Sequence, residues 1–329
     1  MNGWNMSAIG RFGVVVIGRN EGQRLRRCLE SVVNRAKIVV YVDSGSTDGS
    51  VARAEDLGAV TVRLDLKLPF TAARARNEGF HRMCELAPEL DYVQFVDGDC
   101  EVAEGWLDSA VAALDSNPPV VAVCGRRRER FPEQSVYNLL CDIEWDTAVG
   151  EVKTCGGDVM MRTRALSAAG GYRSDLIAGE EPELCVRLRA AGWSIRRLGE
   201  EMTLHDAAMT QFSQWWKRML RGGYAMAEGV HLHGSPPERH RVRDSISAWF
   251  WGFCLPILGL SSAVVFGAPG LLPIALYPLQ VLRLGLRGGR GSWWRALFLV
   301  IGKFPEMLGQ LKFLQDHYFD RRPQLIEYK

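Results

Sequence analysis

The sequence predicts an α/β fold with a Rossmann-like, mostly parallel sheet, followed by a helical region that attaches to a membrane. Short apolar runs alternate with polar helical stretches before about residue 240, a pattern typical of a parallel sheet covered on both faces. Residues 245–282 then contain no Asp, Glu, Lys, Arg or His. We therefore expect an α/β domain over residues 1–235 and a helical membrane-attachment region over residues 236–329.

The overall composition excludes several classes of protein. The 329 residues are 47% hydrophobic and carry a net charge of +2, so neither large-scale disorder nor binding to nucleic acid is expected. The eight cysteines form no Cys-x-x-Cys pair, which disfavours a zinc or iron–sulfur site. The first residues contain no long apolar core and no cleavage site, so we expect no signal peptide. In the reducing cytoplasm the thiols should be free.

The elements of the α/β domain follow from the periodicity of its apolar residues. β-Branched runs predict buried strands at 14–17, 38–42, 60–64, 92–96 and 159–162, and helical spacing predicts helices at 24–33, 46–57, 71–84, 104–114 and 183–191. Ser46 or Thr47 would cap the second helix. Asp48 would either cap that helix or close a turn.

Polar side chains follow three of these strands at the points where the strands end. Asn20 and Glu21 follow the first, Asp43 the second, and Asp97 and Asp99 the fourth. Ligands of open parallel sheets bind beyond the carboxyl ends of the strands, so these residues are candidates for a shared site. No G-x-G-x-x-G follows the first strand and no P-loop motif occurs, which disfavours a dinucleotide oxidoreductase and a P-loop enzyme.

The segment from Asp97 to Asp99 indicates metal chemistry. Two carboxylates separated by Gly98 stand at the end of a buried strand, and Mg²⁺ or Mn²⁺ prefers such oxygen ligands together with substrate phosphates. A divalent cation held there could neutralise a diphosphate leaving group. Asp-Gly-Asp by itself could equally be a polar turn.

Four blocks in a fixed order give this pair its context: residues 43–50 (DSGSTDGS), 73–79 (ARARNEG), 97–99 (DGD) and 179–185 (GEEPELC). This ordered set resembles the family 2 inverting glycosyltransferases of the membrane-associated bacterial type, which have the GT-A fold of nucleotide-diphospho-sugar transferases. The resemblance extends from about Val14 to His205.

The resemblance implies roles for the matching positions on the donor side. Residues that would bind the nucleotide-sugar are Asn20, Glu21, Asp43, Arg74 and Asp97. Asp99 would bind the metal, Mg²⁺ or Mn²⁺, and His205 would complete the metal or diphosphate site. We interpret Arg76 as a solvated helix charge and residues 126–130, which read RRRER, as a solvated basic loop, although that loop could also meet anionic lipid or a diphosphate.

The resemblance also implies a catalytic base near the start of the predicted helix at 183–191. An inverting transfer needs a carboxylate that takes the proton from the acceptor hydroxyl, and Glu181 matches that position, with Glu180 as the second candidate. The family usually has Glu-Asp here, whereas this chain has Glu-Glu. The partial positive charge of a helix N-terminus should keep the base ionised.

The segment from Cys155 to Asp158 would line the acceptor or donor-sugar site in the related enzymes. Its two glycines allow close approach of a ligand, and Asp158 could hold a sugar hydroxyl. A bulge at the entry of the following strand is the alternative.

The C-terminal region predicts a membrane hairpin at about 245–284 that turns near Gly267. Arginines flank the run on both sides, which favours a hairpin with both ends cytoplasmic. A re-entrant hairpin or a buried helical pair are alternatives. The stretch 214–224 has the composition of an interfacial helix or packs on the domain, and 293–301 is expected to lie along the surface. We expect a cell inner membrane location with the catalytic domain in the cytoplasm.

These patterns together predict a glycosyltransferase. It would move a sugar from a nucleotide-diphosphate sugar to a sugar, lipid-linked or polysaccharide acceptor with inversion and with help from Mg²⁺ or Mn²⁺, and it would not synthesise processively. Its partners would include the membrane but no nucleic acid. Two alternatives remain open, a sugar nucleotidyltransferase and a non-catalytic membrane scaffold of the same fold.

Overall fold

The structure is a computed structural model that describes residues 10–68 and 71–319. We predicted that the first residues form no signal peptide, and most of those residues lie outside the described part of the chain. The chain divides into two compact units. Unit 1 comprises residues 1–130, 145–176 and 180–207, and unit 2 comprises 131–144, 177–179 and 208–329. The helix at Phe212–His233, which the sequence placed in the first domain, is thus part of unit 2.

Within the described residues, 10–68 and 71–319, unit 1 contains one sheet of nine strands. In chain order they are β1 (Phe12–Gly18), β2 (Val39–Asp43), β3 (Val60–Arg63), β4 (Tyr92–Asp97), β5 (Cys100–Val102), β6 (Val120–Glu129), β7 (Gly150–Glu151), β8 (Val159–Arg162) and β9 (Ser194–His205). Their order across the sheet is β3-β2-β1-β4-β8-β6-β9-β5, with β7 paired to β9.

The parallel part of the sheet places the polar strand ends together. β1 pairs in parallel with β2 and with β4, and the register puts Gly18 beside Asp43 and Ile17 beside Asp97. These strands are buried along nearly their whole length, as expected for strands covered on both faces. Asp43 and Asp97 therefore leave the sheet at the same edge.

The remaining strands make the sheet mixed, because β8 is antiparallel to both β4 and β6. The strand predicted at 159–162 is present with those bounds, whereas β5, β6, β7 and β9 were not predicted. The solvated basic loop at 126–130 is wrong, because residues 126–129 continue β6 and pair with β9. This part of β6 was missed because its side chains are charged, and a search for apolar periodicity does not detect a charged strand.

The helices of unit 1 lie between the strands. They are α1 (Gln23–Glu30), α2 (Ser50–Asp56), α3 (Ala72–Leu86), α4 (Trp106–Ser116), α6 (Thr163–Ala168) and α7 (Glu180–Ala190), and α5 (Val136–Glu144) belongs to unit 2. Thr71 caps α3, since its side chain accepts a hydrogen bond from the Arg74 amide.

Two predicted helix starts were wrong. Helix α2 begins at Ser50 rather than at Ser46, because the Ser46 amide donates to Asp43 and Gly49 lies in the left-handed region with φ 78°. Asp48 closes this turn, with its Oδ1 accepting from the Ser50 amide. Helix α7 begins at Glu180 rather than at residue 183, so that both candidate bases lie in its first turn.

Unit 2 is helical. It contains α8 (Phe212–His233), α9 (Val242–Trp249), a π-helical turn (Phe250–Cys254), α10 (Leu255–Phe266), a 3-10 segment (Ala268–Ala275), α11 (Leu276–Gly285), α12 (Ser292–Ile301) and α13 (Lys303–Tyr318). Helices α8 and α13 cross closely at Gly223, where an added Cβ would come 2.0 Å from the Glu306 carbonyl oxygen.

One continuous helix over Val242–Phe266 is long and apolar enough to cross a membrane, the only such helix among residues 10–68 and 71–319. Its most apolar stretch has a mean hydropathy of 1.7 and is 17% buried. The second arm of the predicted hairpin is shorter: Gly267 ends the helix at φ 66° and the 3-10 segment with its prolines follows. Helix α11 has 10 residues, about half of what a span needs, and the membrane hairpin stays a prediction.

The tryptophans of α8 are divided between the interior and the surface of unit 2. Trp215 is 3% exposed, and its ring stands edge-on to Phe298 at 4.8 Å and stacks at 6.5 Å with Tyr137. Part of the stretch predicted as an interfacial helix therefore packs on the protein itself.

Candidate active site

The carboxylate of Asp97 is the centre of a charged cluster at the end of β4. Its Oδ1 accepts a hydrogen bond from Arg76 Nη2 (2.7 Å), and its Oδ2 accepts one from Arg127 Nη2 (2.9 Å). Burial alone would raise the pKa of Asp97, but the two guanidinium groups outweigh it and lower the pKa. Asp97 is therefore ionised, and 28% of its side chain is exposed.

Arg76 joins this cluster to the start of α7. Its Nη1 donates to Glu180 Oε1 at 2.6 Å, and only 3% of the residue is exposed. The interpretation of Arg76 as a solvated charge was therefore wrong. The sequence did contain a signal, because Ala73, Arg76, Phe80 and Met83 recur at helical spacing and form the buried face of α3.

Arg74, which we predicted to bind the nucleotide, contacts the loop after β3, and its contact with a nucleotide stays a prediction. Its Nη1 donates to the carbonyl oxygens of Asp65 (2.9 Å) and Leu68 (3.2 Å), so the guanidinium holds the loop after β3. Residues two apart lie on different faces of a helix, and of the two arginines Arg76 is the one that contacts Asp97.

Replacing Arg76 by methionine should destabilise the protein strongly. The variant would leave Glu180 without its cation and Asp97 with Arg127 alone, and removing one partner of a buried pair costs about 3 kcal/mol or more. Arg74→Met is the matched control, because it removes only bonds to loop carbonyls and should cost about 1 kcal/mol. Thermal denaturation of both variants measures the difference. Equal losses would show that the Arg76 network adds no stability.

Arg127 supports Asp97 from the opposite side. Its Nη2 lies 2.8 Å from Asp158 Oδ2, and its guanidinium lies over the Trp145 ring at 5.3 Å from the centroid. The Asp158 carboxylate is 1% exposed. Its Oδ1 accepts from the Asp97 amide (2.9 Å) and its Oδ2 from the Thr203 hydroxyl (2.7 Å). Asp158 thus braces Asp97 and Arg127, while a bond to a sugar hydroxyl stays a prediction.

Asp99 and His205 are brought together by the pairing of β5 with β9. His205 Nε2 lies 3.3 Å from Asp99 Oδ2, and both residues are 7% exposed. One carboxylate oxygen and one imidazole nitrogen at this separation can share a cation, and the pair suits Mn²⁺ or Mg²⁺ with phosphate oxygens completing the shell. The residues present therefore fit the predicted metal.

The Cys100 thiol lies beside these groups. Its Sγ is close enough to Asp99 and His205 for all three to surround one ion. Burial raises the pKa of Cys100 well above its usual value, and sulfur ligands suit soft metals rather than the hard Mg²⁺ and Mn²⁺. Asp99 and His205 are the stronger pair of ligands.

Glu181 lies in the first turn of α7 with 3% of its surface exposed. Its Oε1 accepts hydrogen bonds from the Cys155 amide (2.6 Å) and from Cys185 Sγ (2.9 Å). Burial raises the pKa of Glu181 above a glutamate's usual 4.5, although these donors oppose the shift. The expected effect of the helix N-terminus is thus outweighed by desolvation.

Gly157, in the segment that leads to β8, comes close to the charged cluster. A Cβ on Gly157 would lie 2.6 Å from Arg76 Nη2 and 2.9 Å from Asp97 Oδ2. Any side chain at Gly157 would therefore occupy the space beside these two groups. The close approach here is to side chains of the protein itself, and the approach of a ligand to this segment stays a prediction.

The predicted nucleotide side is formed by the loops after β1 and β2. Asn20, at φ 56°, accepts a hydrogen bond from the Thr47 amide through Oδ1 (2.8 Å). Asp43 Oδ2 accepts from the amides of Gly45 (3.0 Å) and Ser46 (2.9 Å). Glu21 lies within 3.4 Å of where a Cβ on Gly98 would be. These residues shape one edge of the site, and their contact with a nucleotide stays a prediction.

Comparison with known proteins identifies the domain. Residues 13–147 match the family described as Glycosyl transferase family 2. The pre-mycofactocin glycosyltransferase of Mycobacterium tuberculosis is 28% identical over 222 residues, which cover 62% of this chain and 44% of that protein. The chain thus spans less than half the length of these curated relatives.

Solved structures show the same fold. A mannosyltransferase from Pyrobaculum calidifontis, solved in complex with GDP-Man and Mn²⁺, superposes with a TM-score of 0.63 at 18% identity, covering 93% of this chain and 87% of that one. Residues 1–349 of TarS from S. aureus superpose with a TM-score of 0.50 at 15% identity, covering 94% and 92%. The predicted α/β fold class is confirmed. Residues 13–147 are therefore similar to the glycosyl transferase family 2 domain, and the chain shares the fold of these solved proteins.

Proposed function

We propose that this protein transfers a sugar from a nucleotide-diphosphate sugar to an acceptor hydroxyl with inversion of the anomeric carbon. The observation that carries the proposal is the position of Arg76, whose guanidinium bonds both Asp97 on the donor side and Glu180 at the start of α7. This bridge brings the strand-end carboxylates and the candidate bases into one cluster. A donor and an acceptor could therefore react between them.

Asp99 and His205 would hold a divalent cation in this proposal. A bound Mn²⁺ or Mg²⁺ would neutralise the charge that develops on the diphosphate. The Pyrobaculum calidifontis mannosyltransferase was solved with GDP-Man and Mn²⁺, which supports the use of a divalent cation in this proposal. Asp97, ionised and partly exposed, is placed to accept hydrogen bonds from the donor's ribose.

Glu181 is our first candidate for the general base and Glu180 the second. As the acceptor oxygen forms its bond to the anomeric carbon, the bond to the diphosphate oxygen breaks and the acceptor proton passes to the glutamate. A carboxylate with a raised pKa is a stronger base while still ionised near neutral pH. Burial of Glu181 supplies that shift, whereas Glu180 is paired with Arg76.

The pH profile should report Glu181. Because its folded pKa is raised, activity should fall as the pH drops through a value above a glutamate's usual 4.5. The Cys185 thiol donates to Glu181 Oε1 and lowers its pKa, so Cys185→Ala should move the acidic limb of kcat/KM to higher pH. An unchanged limb in this variant would assign it to another group. Cys84→Ala, a thiol on α3 remote in sequence, is the control.

We also propose that unit 2 attaches the protein to the cytoplasmic face of the inner membrane. Support comes from the helix Val242–Phe266 and from exposed apolar side chains in it and after it. Val264, within the helix, is 87% exposed, and Leu272 and Leu286, which follow it, are 73% and 70% exposed; exposed apolar side chains of this kind favour contact with lipid. A lipid-linked or polysaccharide acceptor is consistent with this attachment.

A panel of radiolabelled nucleotide sugars, incubated with the protein in its membranes and Mn²⁺, tests the function. We expect one sugar to be transferred, the nucleoside diphosphate to be released, and NMR of the product to show an inverted anomeric centre. Label that enters only a soluble acceptor, and never the lipid extract, would reject a lipid acceptor. Pyrophosphate release from a nucleoside triphosphate would establish a nucleotidyltransferase instead.

A further inference from the structure

A buried glutamate on β6 lies beside the candidate metal ligand on β9. The parallel register of these strands makes Glu129 the direct partner of His205. The Glu129 side chain is fully buried and that of His205 is 9% exposed. Burying a carboxylate is costly unless it is bonded, so this glutamate needs an account beyond packing.

The contacts hold the imidazole from both nitrogens. His205 Nδ1 lies 3.3 Å from Glu129 Oε2, and His205 Nε2 lies 3.3 Å from Asp99 Oδ2. The amide of Ala207 donates to the same Glu129 oxygen at 3.1 Å. The Trp145 ring packs edge-to-face against the imidazole, with the two ring centroids 4.7 Å apart. The ring therefore has one defined orientation.

We propose that Glu129 is a positioning residue for the metal site. It accepts a hydrogen bond from Nδ1–H of His205, which fixes the tautomer with the Nε2 lone pair directed to the cation shared with Asp99. This inference rests on the proposed function, because it takes Asp99 and His205 as the metal ligands. Metal-binding histidines commonly donate their second ring N–H to a carboxylate, which orients the ring and makes the nitrogen a better donor.

The Glu129–His205 pair should also influence which metal is bound. Imidazole nitrogen suits Mn²⁺ better than Mg²⁺, which prefers oxygen ligands. Strengthening His205 as a donor thus favours Mn²⁺, whereas the Asp99 carboxylate serves both ions. The ratio of the Mg²⁺ and Mn²⁺ dissociation constants consequently reports the role of Glu129.

Two substitutions of Glu129 separate positioning from simple packing. Glu129→Gln preserves shape and a carbonyl acceptor but removes the charge, and Glu129→Leu removes the acceptor altogether. Glu101→Gln is the matched control, because Glu101 lies on the neighbouring β5, is 38% exposed and pairs with Arg130. The glutamine variant keeps the test decisive if the leucine variant does not fold.

Mn²⁺ binding to the purified full-length protein, followed by the EPR signal of free Mn²⁺ with and without inorganic pyrophosphate, is the measurement. We expect the Mn²⁺ dissociation constant to rise about 10- to 100-fold in Glu129→Leu, less in Glu129→Gln, and not at all in Glu101→Gln. Competition with Mg²⁺ should show a reduced preference for Mn²⁺ in both Glu129 variants. A positioning role requires this change in preference, which a loss of packing would not produce.

The proposal is overturned if the metal-free melting temperature falls in the Glu129 variants while Mn²⁺ affinity and preference stay those of the wild type. Glu129 would then only support the fold. Asp99→Ala, measured alongside, distinguishes this from failure of the proposed function. If Asp99→Ala also left Mn²⁺ binding intact, or the wild type bound no Mn²⁺, the metal site itself would be misplaced.

Discussion

Replacing Asp99 by alanine is expected to reduce sugar transfer by about 10³-fold or more, since cation assistance contributes several kcal/mol to stabilising the transition state. The side chain is buried and lies 3.3 Å from His205 Nε2, so its removal takes away the carboxylate that would share the cation with His205. The loss should appear in kcat and persist at high Mn²⁺ concentration. Initial-rate measurements over a range of Mn²⁺ concentrations provide the check.

Asp56→Ala is the control for this substitution, because Asp56 is an exposed carboxylate at the end of α2. Its kcat and its response to Mn²⁺ should equal those of the wild type. An Asp99→Ala variant that kept Mn²⁺-stimulated transfer would contradict the assignment of Asp99 as a metal ligand.

Substituting Glu181 by glutamine should lower kcat by about 10²- to 10⁴-fold, the contribution typical of a general base. The amide keeps the size of the side chain and can still accept hydrogen bonds at the Cys155 amide, so binding of the donor should change little. Steady-state kinetics with the nucleotide-sugar varied at saturating acceptor separates the two effects. A loss in kcat with an unchanged donor KM is the expected result.

Glu180→Gln serves as the comparison for Glu181. Glu180 is bonded to Arg76, so its substitution should disturb the position of that arginine and have a smaller effect on kcat. The shorter Glu181→Asp variant, which restores the residue usual in the resembled family, should recover part of the activity. If Glu180→Gln were the more damaging change and Glu181→Gln nearly neutral, Glu180 would be the base.

The strand ends are the part of the site that local sequence pattern predicts best. The β-branched runs before Asp43 and Asp97 form the strands β2 and β4, which pair in parallel with β1 from its two sides and end at the same edge of the sheet. The ordered motifs also singled out Asp99 and His205, and the structure places the two side chains in contact. The positions of these residues could be predicted because each depended on a short segment and on the known geometry at the carboxyl ends of parallel strands, while their roles stay predictions.

The residues that were missed depend on partners distant in the chain. Arg127 and Glu129 looked like a solvated basic segment, but β6 places them against Asp97 and His205, respectively 30 and 76 residues away. The need for glycine at position 125 also comes from a partner distant in the chain, because a Cβ there would lie 2.6 Å from the carbonyl oxygen of Glu200 on β9. Nothing local in the segment indicates that these groups are desolvated.

The C-terminal region shows the limit of composition. The absence of charge over 245–282 predicted apolar helices, and these are present. Whether the second arm is a helix or a 3-10 segment depended on the backbone at Gly267 and on how the prolines after it were accommodated. The hydropathy of the sequence does not distinguish an α-helix from a 3-10 segment at this place.

Thermal denaturation of the purified wild type and of Asp99→Ala, each with a panel of nucleoside diphosphates with and without Mn²⁺, tests the central claim most directly. The account predicts that one nucleoside diphosphate raises the melting temperature of the wild type only when Mn²⁺ is present, and that Asp99→Ala loses this rise while its unliganded melting temperature stays close to that of the wild type. A stabilisation that is independent of Mn²⁺, or one that survives in Asp99→Ala, would contradict it.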